Sequence, residues 1–237
     1  MEQALYLNDS YIKEFESEVV SVKDGKYIVL DKTAFYPNSG GQPHDTGIFI
    51  RKLDNKEFNV IYVGKFSGQI SHEVSEPGLQ IGDTITGKID WERRYKLMRF
   101  HTAAHILSQV IHKDTGALIT GNQLDLEKSR IDFDVENFNR EIASNYVQKA
   151  NEIVKRNLEV RFYTLPREEV NKREDLLKLA KGLPPQIKQV RIVEIGDFDK
   201  QADGGTHVKN TSEIGEVEFV KCENKGANNR RIYFKIK

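Results

Sequence analysis

A single cysteine, Cys222, stands among 237 residues, so no disulfide can form within the chain. A reducing, cytoplasmic setting is expected from that usage. No run of 18 apolar residues occurs, which excludes a membrane-spanning helix and gives no reason to expect a membrane partner. The opening "MEQALYLNDS" has no basic region followed by an apolar stretch, so no secretory signal is expected. Internal repeats and low-complexity segments are also missing. Net charge is absent as well, with 36 basic residues against 36 acidic ones.

That zero conceals an uneven distribution. Residues 1–90 hold nine basic and fourteen acidic side chains, a net of −5, and residues 91–237 carry the compensating +5. The last seventeen residues contain Lys221, Lys225, Arg230, Arg231, Lys235 and Lys237 against Glu223 alone. Such asymmetry points the second half towards a polyanion, although a solvated basic tail would look the same.

Residues 1–90 read as short strands separated by turns. Two runs flank Lys23-Asp24-Gly25, where the Asp-Gly pair signals a hairpin. Further strands are expected at 46–53, 58–66 and 84–90. Their number and spacing predict a small β-barrel or sandwich. Trp91 opens a different pattern. Leu97, Phe100, Ala104, Leu107 and Ile111 recur at threes and fours, predicting a helix over 91–114. A strand pair with a turn near Glu127-Lys128 is expected next, then a helix over 139–157 and a strand over 158–165. A third helix is expected over 167–180, closed by Gly182 and Pro184-Pro185. Strands at 190–195, 215–223 and 231–236 complete the pattern. The expected class is α+β, a 1–90 β-barrel domain followed by a 91–237 domain with helices on an antiparallel sheet.

Within the first helix, "HTAAH" places His101 and His105 four residues apart. On an α-helix they lie about 40° apart and about 6 Å along the axis, so one cation can be held by both imidazoles. Two histidines on a polar helix face would share that spacing. His112 lies roughly 10 Å further along, too far to share the ion. The HExxH zinc peptidases use the same gap, but Thr102 stands where their general-base glutamate would be. A third histidine, His207, closes Asp203-Gly204-Gly205-Thr206-His207, and its two glycines predict a tight loop. His101, His105 and His207 would form a three-nitrogen zinc site with one position left for water or substrate. Asp203 could fill that position, with Cys222 a more distant alternative. Residues 38–47 form a second glycine-bearing loop. It lacks the Gly-Lys-Ser/Thr ending of a P-loop.

Taken in order, "FYPNSGGQPHDTG", "HTAAH", "SRIDFD", "DGGTH" and "ANNRRI" resemble the editing region of alanyl-tRNA synthetase. They look most like the free-standing alanyl-tRNA editing proteins (the AlaX type) in their longer form, and they cover roughly residues 25–235. The resemblance implies an ATP-independent hydrolase serving translation fidelity, with one Zn2+ per chain. It would deacylate tRNA(Ala) mischarged with serine, and glycine in addition. His101, His105 and His207 match the family's zinc ligands. The family often supplies its fourth ligand from a Cys-Gly-Gly-Thr-His cysteine, and here that position is Asp203. Thr33 falls where longer members place a pocket threonine. Asn122 or Gln123, beside Gly121, falls near the family's pocket glutamine. Gly40, Gly41 and Gln42 form its glycine-rich motif. Arg93, Arg230 and Arg231, with Arg94, Lys96 and Arg99, would meet phosphates at the tRNA acceptor end. Two other readings keep the same residues: another zinc-dependent acyl hydrolase, and an RNA-binding module with a structural zinc.

Overall fold

The computed structural model describes residues 3–136, 138–173, 176–180, 187–226 and 228–237. The chain divides into two compact units, Met1–Lys96 and Leu97–Lys237. Among the described residues no helix is long and apolar enough to cross a membrane.

Among the described residues the first unit contains eight strands, β1 (Gln3–Ala4), β2 (Glu14–Lys23), β3 (Tyr27–Leu30), β4 (Lys32–Thr33), β5 (Gly47–Arg51), β6 (Glu57–Phe66), β7 (Gln69–Val74) and β8 (Thr84–Ile89). Six of them close an antiparallel barrel in the order β2-β3-β7-β6-β5-β8. Period-two alternation explains the inward face. Phe15, Ser17 and Val19 of β2 are buried while Glu14, Glu16 and Glu18 face out. The β2–β3 hairpin turns at Asp24 and Gly25, whose φ values of 53° and 69° are those of a type I′ turn.

Strand β7 has no counterpart among the strands expected from sequence. Its inward positions are Ile70, His72 and Val74, so a histidine interrupts the apolar alternation. His72 is wholly buried, with edge-on contacts to Phe35 and Phe49 at 5.6 and 5.3 Å. Its Nδ1 lies 3.0 Å from the Ile28 carbonyl, which can only accept, so the proton sits on Nδ1. Nε2 then accepts from Thr33 Oγ1 at 2.9 Å, and Thr33 in turn accepts from the Phe35 N–H at 3.1 Å. Burial holds the His72 pKa down at about 4.

A buried ion pair fixes the start of helix α1 (Trp91–Thr115) within this unit. Arg94 and Asp45 both have fully enclosed side chains. Arg94 Nε donates to both Asp45 oxygens, Nη1 to the Ser10 carbonyl at 2.9 Å and Nη2 to the Ala34 carbonyl at 2.6 Å. Asp45 also accepts from the Tyr36 N–H at 2.6 Å. Between Tyr36 and Asp45, Ser39 and Gln42 exchange two backbone bonds across Gly40 and Gly41. Their φ values of 58° and 83° make this a position for glycines.

The second unit continues with β9 (Ile119–Gln123), β10 (Ser129–Phe133), α2 (Arg140–Lys155), β11 (Val160–Pro166), α3 (Arg167–Val170), β12 (Gln189–Ile195), β13 (Asp199–Ala202), β14 (Val217–Asn224) and β15 (Arg230–Ile236). The strands form two antiparallel sheets, β14-β15-β10-β9 and β11-β12-β13. Asn139 caps α2 by accepting from the Ile142 N–H, and Asn151 ties α2 to the backbone of Val217 on β14. The apolar stripe of α1 is buried as its periodicity predicts, with Phe100 against Phe234 of β15 at 5.8 Å.

The third helix differs from expectation. Among the described residues it covers Arg167–Val170. Beyond it, Ile119 N–H donates to the Lys178 carbonyl and Ala180 N–H to the Ile119 carbonyl. Leu179 bridges Ile119 in parallel. This extended pairing takes the backbone groups that a helix would have used. The expected closure at Gly182 and Pro184-Pro185 lies outside the described residues. Strand β13 was also unforeseen, because its "DKQA" carries no apolar pattern.

His72 makes the first unit sensitive to acid. Its folded pKa lies below the unfolded 6.5, so the unfolded chain takes up a proton that the fold refuses, and stability falls between pH 6.5 and 4. The expected loss is about 3 kcal/mol. Urea unfolding of His72→Gln should show a fall between pH 7 and pH 4.5 that is smaller than the parent's by nearly that amount. Parallel falls in the two proteins would contradict it.

Candidate metal centre

Helix α1 carries His101 and His105 on one stripe, with ring centroids 5.2 Å apart. The chain leaving β13 supplies Asp203 and then His207, whose ring lies 4.3 Å from that of His101 and 4.7 Å from that of His105. The four residues each offer a ligand atom, and these atoms lie within 4.8 Å of one another. All three imidazoles are buried. Asp203 alone has appreciable exposure, 19% of its side chain.

The loop is built to hold this position. Asp203 accepts from the Gly205 N–H, closing a local turn. Arg191 of β12 donates to the carbonyls of Asp203 and Gly205 at 3.1 and 2.9 Å. Its guanidinium lies over the Phe162 ring at 4.1 Å.

Thr102 acts on His207 from α1. Its hydroxyl donates to the Met98 carbonyl at 3.0 Å and lies 3.2 Å from His207 Nδ1. With the hydroxyl proton committed to Met98, Nδ1 is the donor, and Nε2 is left with its lone pair. That lone pair faces Asp203 Oδ2 at 3.0 Å. Burial, then the neighbouring His101 ring, holds the His207 pKa well below its usual value. Burial raises the Asp203 carboxyl, but the His101 and His105 rings outweigh it and hold the group well below the ordinary range. A neutral imidazole thus faces an ionised carboxylate, two groups that one cation can bridge.

The spacings suit one. Around a four-coordinate ion with ligands at about 2.0–2.2 Å, neighbouring ligand atoms lie about 3.4 Å apart. Here His207 Nε2 to Asp203 Oδ2 is 3.0 Å, His101 Nε2 to Asp203 Oδ1 is 3.5 Å, and His105 Nε2 to Asp203 Oδ1 is 3.9 Å. Three nitrogens and a carboxylate are donors of the right chemistry for a small divalent metal. On its other edge, His105 Nδ1 faces Asp199 Oδ2 at 3.4 Å. Burial would lower the His105 pKa, but Asp199 and Asp203 together raise it to about 9. Asp199 is paired with Lys178, and both side chains are buried.

The other residues singled out by sequence lie elsewhere. Cys222 sits on β14 opposite Ile232, outside the cluster. Asn122 and Gln123 lie on β9 opposite Ile131 and Arg130, and Gln123 accepts from Arg130 at 3.2 Å. Thr33, Gly40, Gly41 and Gln42 belong to the first unit, and Thr33 and Gln42 are fully buried. Arg93 donates to the His44 carbonyl at 3.0 Å. Arg94 is enclosed by Asp45, so no phosphate can reach it. Arg99 donates to the Ile214 carbonyl. Arg230 donates to carbonyls that include Glu136, and Arg231 grips Asp132 through two bonds of 2.7 and 2.8 Å. The basic end is largely paired, with Lys221 and Lys225 on Glu223 and Lys235 and Lys237 on Glu218.

Sequence reasoning missed Thr102 as a contributor, along with Arg191, Asp199 and Lys178. Thr102 could have been found, because a hydroxyl beside the first histidine of an i, i+4 pair is placed to address an incoming ligand. Nothing in the sequence marks the other three.

Two family models match the chain. One, for the second additional domain of threonyl and alanyl tRNA synthetases, covers residues 190–233. The other, for class II (A) tRNA synthetases, covers residues 4–93. The alanyl-tRNA editing protein AlaX-M of Methanosarcina mazei is 51% identical over 243 residues, spanning all of this chain and 97% of that protein. The AlaX-M protein of Saccharolobus solfataricus is 46% identical over 239 residues, and both chains are covered in full. The alanine–tRNA ligase of Pyrobaculum aerophilum is 39% identical over 228 residues, which are 92% of this chain and 25% of the ligase.

After stripping and reloading, the protein should hold one divalent ion per chain by elemental analysis. His101→Ala with His105→Ala removes two of the four donors and should hold none. Full metal content in that double variant would refute the ligand assignment.

Proposed function

The chain belongs to the alanyl-tRNA editing proteins, and from that premise we propose that it is a cytoplasmic hydrolase clearing mischarged tRNA(Ala), using one zinc ion. The end-to-end match to AlaX-M proteins carries this reading. The His101, His105, Asp203 and His207 cluster supports it. The substrates are Ser-tRNA(Ala), and Gly-tRNA(Ala) in addition. Water adds to the ester carbonyl, the bond to the ribose oxygen breaks, and free amino acid and tRNA leave.

Such an activity answers a limit of binding. A pocket for alanine cannot strongly reject the smaller glycine, nor serine, which adds only a hydroxyl. A second, hydrolytic site can use that hydroxyl as its handle. Alanine would leave the partner group unpaired, at a cost of about 1–3 kcal/mol. The resemblance assigns Thr33 to this role. Its proton is given to His72 and one lone pair to the Phe35 N–H.

Bound zinc would supply Lewis acidity, polarising the ester and orienting the aminoacyl group. The chain's own residues do the rest. His101, His105 and His207 present nitrogens, and Thr102 keeps His207 in the tautomer whose Nε2 can bind. Asp203, standing where the resemblance implies a cysteine, is the fourth donor, or leaves that position to water or substrate. Asn122 or Gln123 is kept as the polar pocket residue. Gly40, Gly41 and Gln42 are kept as a substrate-side motif. Arg93, Arg230 and Arg231 are the proposed phosphate contacts at the acceptor end, which makes binding weaken with salt.

One observation favours a second reading. The cluster offers four protein donors, the number of a closed structural metal site. An RNA-binding module with a structural zinc would need no open position.

Deacylation assays separate the two. Serine should be released from Ser-tRNA(Ala) much faster than alanine from Ala-tRNA(Ala), and chelation should abolish the release. No hydrolysis of any aminoacyl-tRNA by zinc-loaded protein would sink the hydrolase reading. Thr33→Val should slow serine release by about 5- to 150-fold, the equivalent of 1–3 kcal/mol. Glycine release, which has no hydroxyl to lose, should be unchanged.

A further inference from the structure

We propose that Asp199, locked in place by Lys178, is the positioning residue of His105, holding the ring so that Nε2 is offered to the metal. The inference rests on the metal-dependent reading above and extends it to two residues beyond the ligand set.

The geometry is specific. A histidine ligand binds a metal through one ring nitrogen, and the other normally donates to a fixed acceptor, which sets both tautomer and orientation. His105 Nε2 lies towards Asp203. Its Nδ1 faces Asp199 Oδ2 at 3.4 Å, and both atoms are buried without a hydrogen-bond partner among the described residues. Each is therefore left for the other. A rotation of the imidazole by a small angle, as a metal draws in Nε2, would close that gap to a hydrogen bond.

Asp199 has little freedom to move away. Its Oδ1 is held by the Lys178 ammonium, which supplies the countercharge a buried carboxylate needs. Its backbone pairs with Ile195 of β12. The preceding carbonyl, of Phe198, accepts from Gln109 Nε2 at 3.0 Å. Gln109 lies four residues beyond His105 on α1, so the helix that carries the ligand also fixes the segment that orients it. Thr102 does the equivalent for His207 from the same helix.

Zinc affinity, measured by competition with a chromophoric chelator, and the visible spectrum of cobalt(II)-loaded protein test the proposal without reference to activity. Asp199→Asn should weaken zinc binding by about 10- to 100-fold and alter the cobalt bands. Lys178→Met with Asp199→Leu removes the buried pair altogether. Such replacement is commonly neutral or stabilising, so this variant should unfold at or above the parental temperature and still bind zinc about 10- to 100-fold more weakly. Parental affinity and a parental cobalt spectrum in either folded variant would overturn the proposal. A parent that binds no zinc at all overturns the metal-dependent reading together with this one. Weakened zinc binding in the variants, with no aminoacyl-tRNA hydrolysed by the parent, upholds the positioning role and removes only the hydrolase.

Discussion

The second unit's candidate site depends on one close approach, the 3.0 Å between His207 Nε2 and Asp203 Oδ2. His207 Nε2 and Asp203 Oδ2 are held in that confrontation, and much of the second unit's local structure serves to maintain it. Thr102 fixes the imidazole proton on the far side of the ring. Arg191 grips the two carbonyls that shape the loop, and the Gly205 N–H pins the carboxylate. None of these contacts is a ligand. Each restrains a donor, so the four side chains are held in the arrangement a metal ion could use.

The first unit solves a similar problem with protein atoms alone. Arg94 and Asp45 are fully enclosed, and each guanidinium nitrogen donates to an oxygen of Ser10, Ala34 or Asp45. A buried pair of this kind is costly to break from one side, by about 3–5 kcal/mol. It ties together the chain at Ser10, Ala34, Asp45 and Arg94, and Asp45 lies at the end of the glycine-bearing loop. Arg94 stands next to Arg93 in a basic run, yet only Arg93 is kept as a phosphate contact. Charge counting cannot make that distinction, because burial, not residue type, decides which arginine meets solvent.

The barrel and α1 were legible in the sequence because their signals are local. Alternation along β2, the Asp24-Gly25 turn and the apolar stripe of α1 each lie within a few residues. The three histidines and Asp203 were legible for a related reason: two share a helix turn and two share a short loop. What escaped was set by distant partners. β7 hides behind His72, whose polarity is satisfied by Ile28 and Thr33 more than thirty residues away. The shortened third helix lost its backbone bonds to Ile119. Asp199 and Lys178, in a polar stretch and at the end of an expected helix, acquire meaning only when the fold buries them together.

Asp203 has one further consequence. Its carboxylate stands where the family resemblance implies a cysteine, and Cys222 lies outside the cluster. The cluster therefore contains no sulfur. Peroxide, nitrosating agents and alkylating reagents attack thiolates along a ladder that begins with sulfenic acid, and here they find no first rung among the four donors. A site built from imidazole and carboxylate offers thiol-directed reagents no donor to modify.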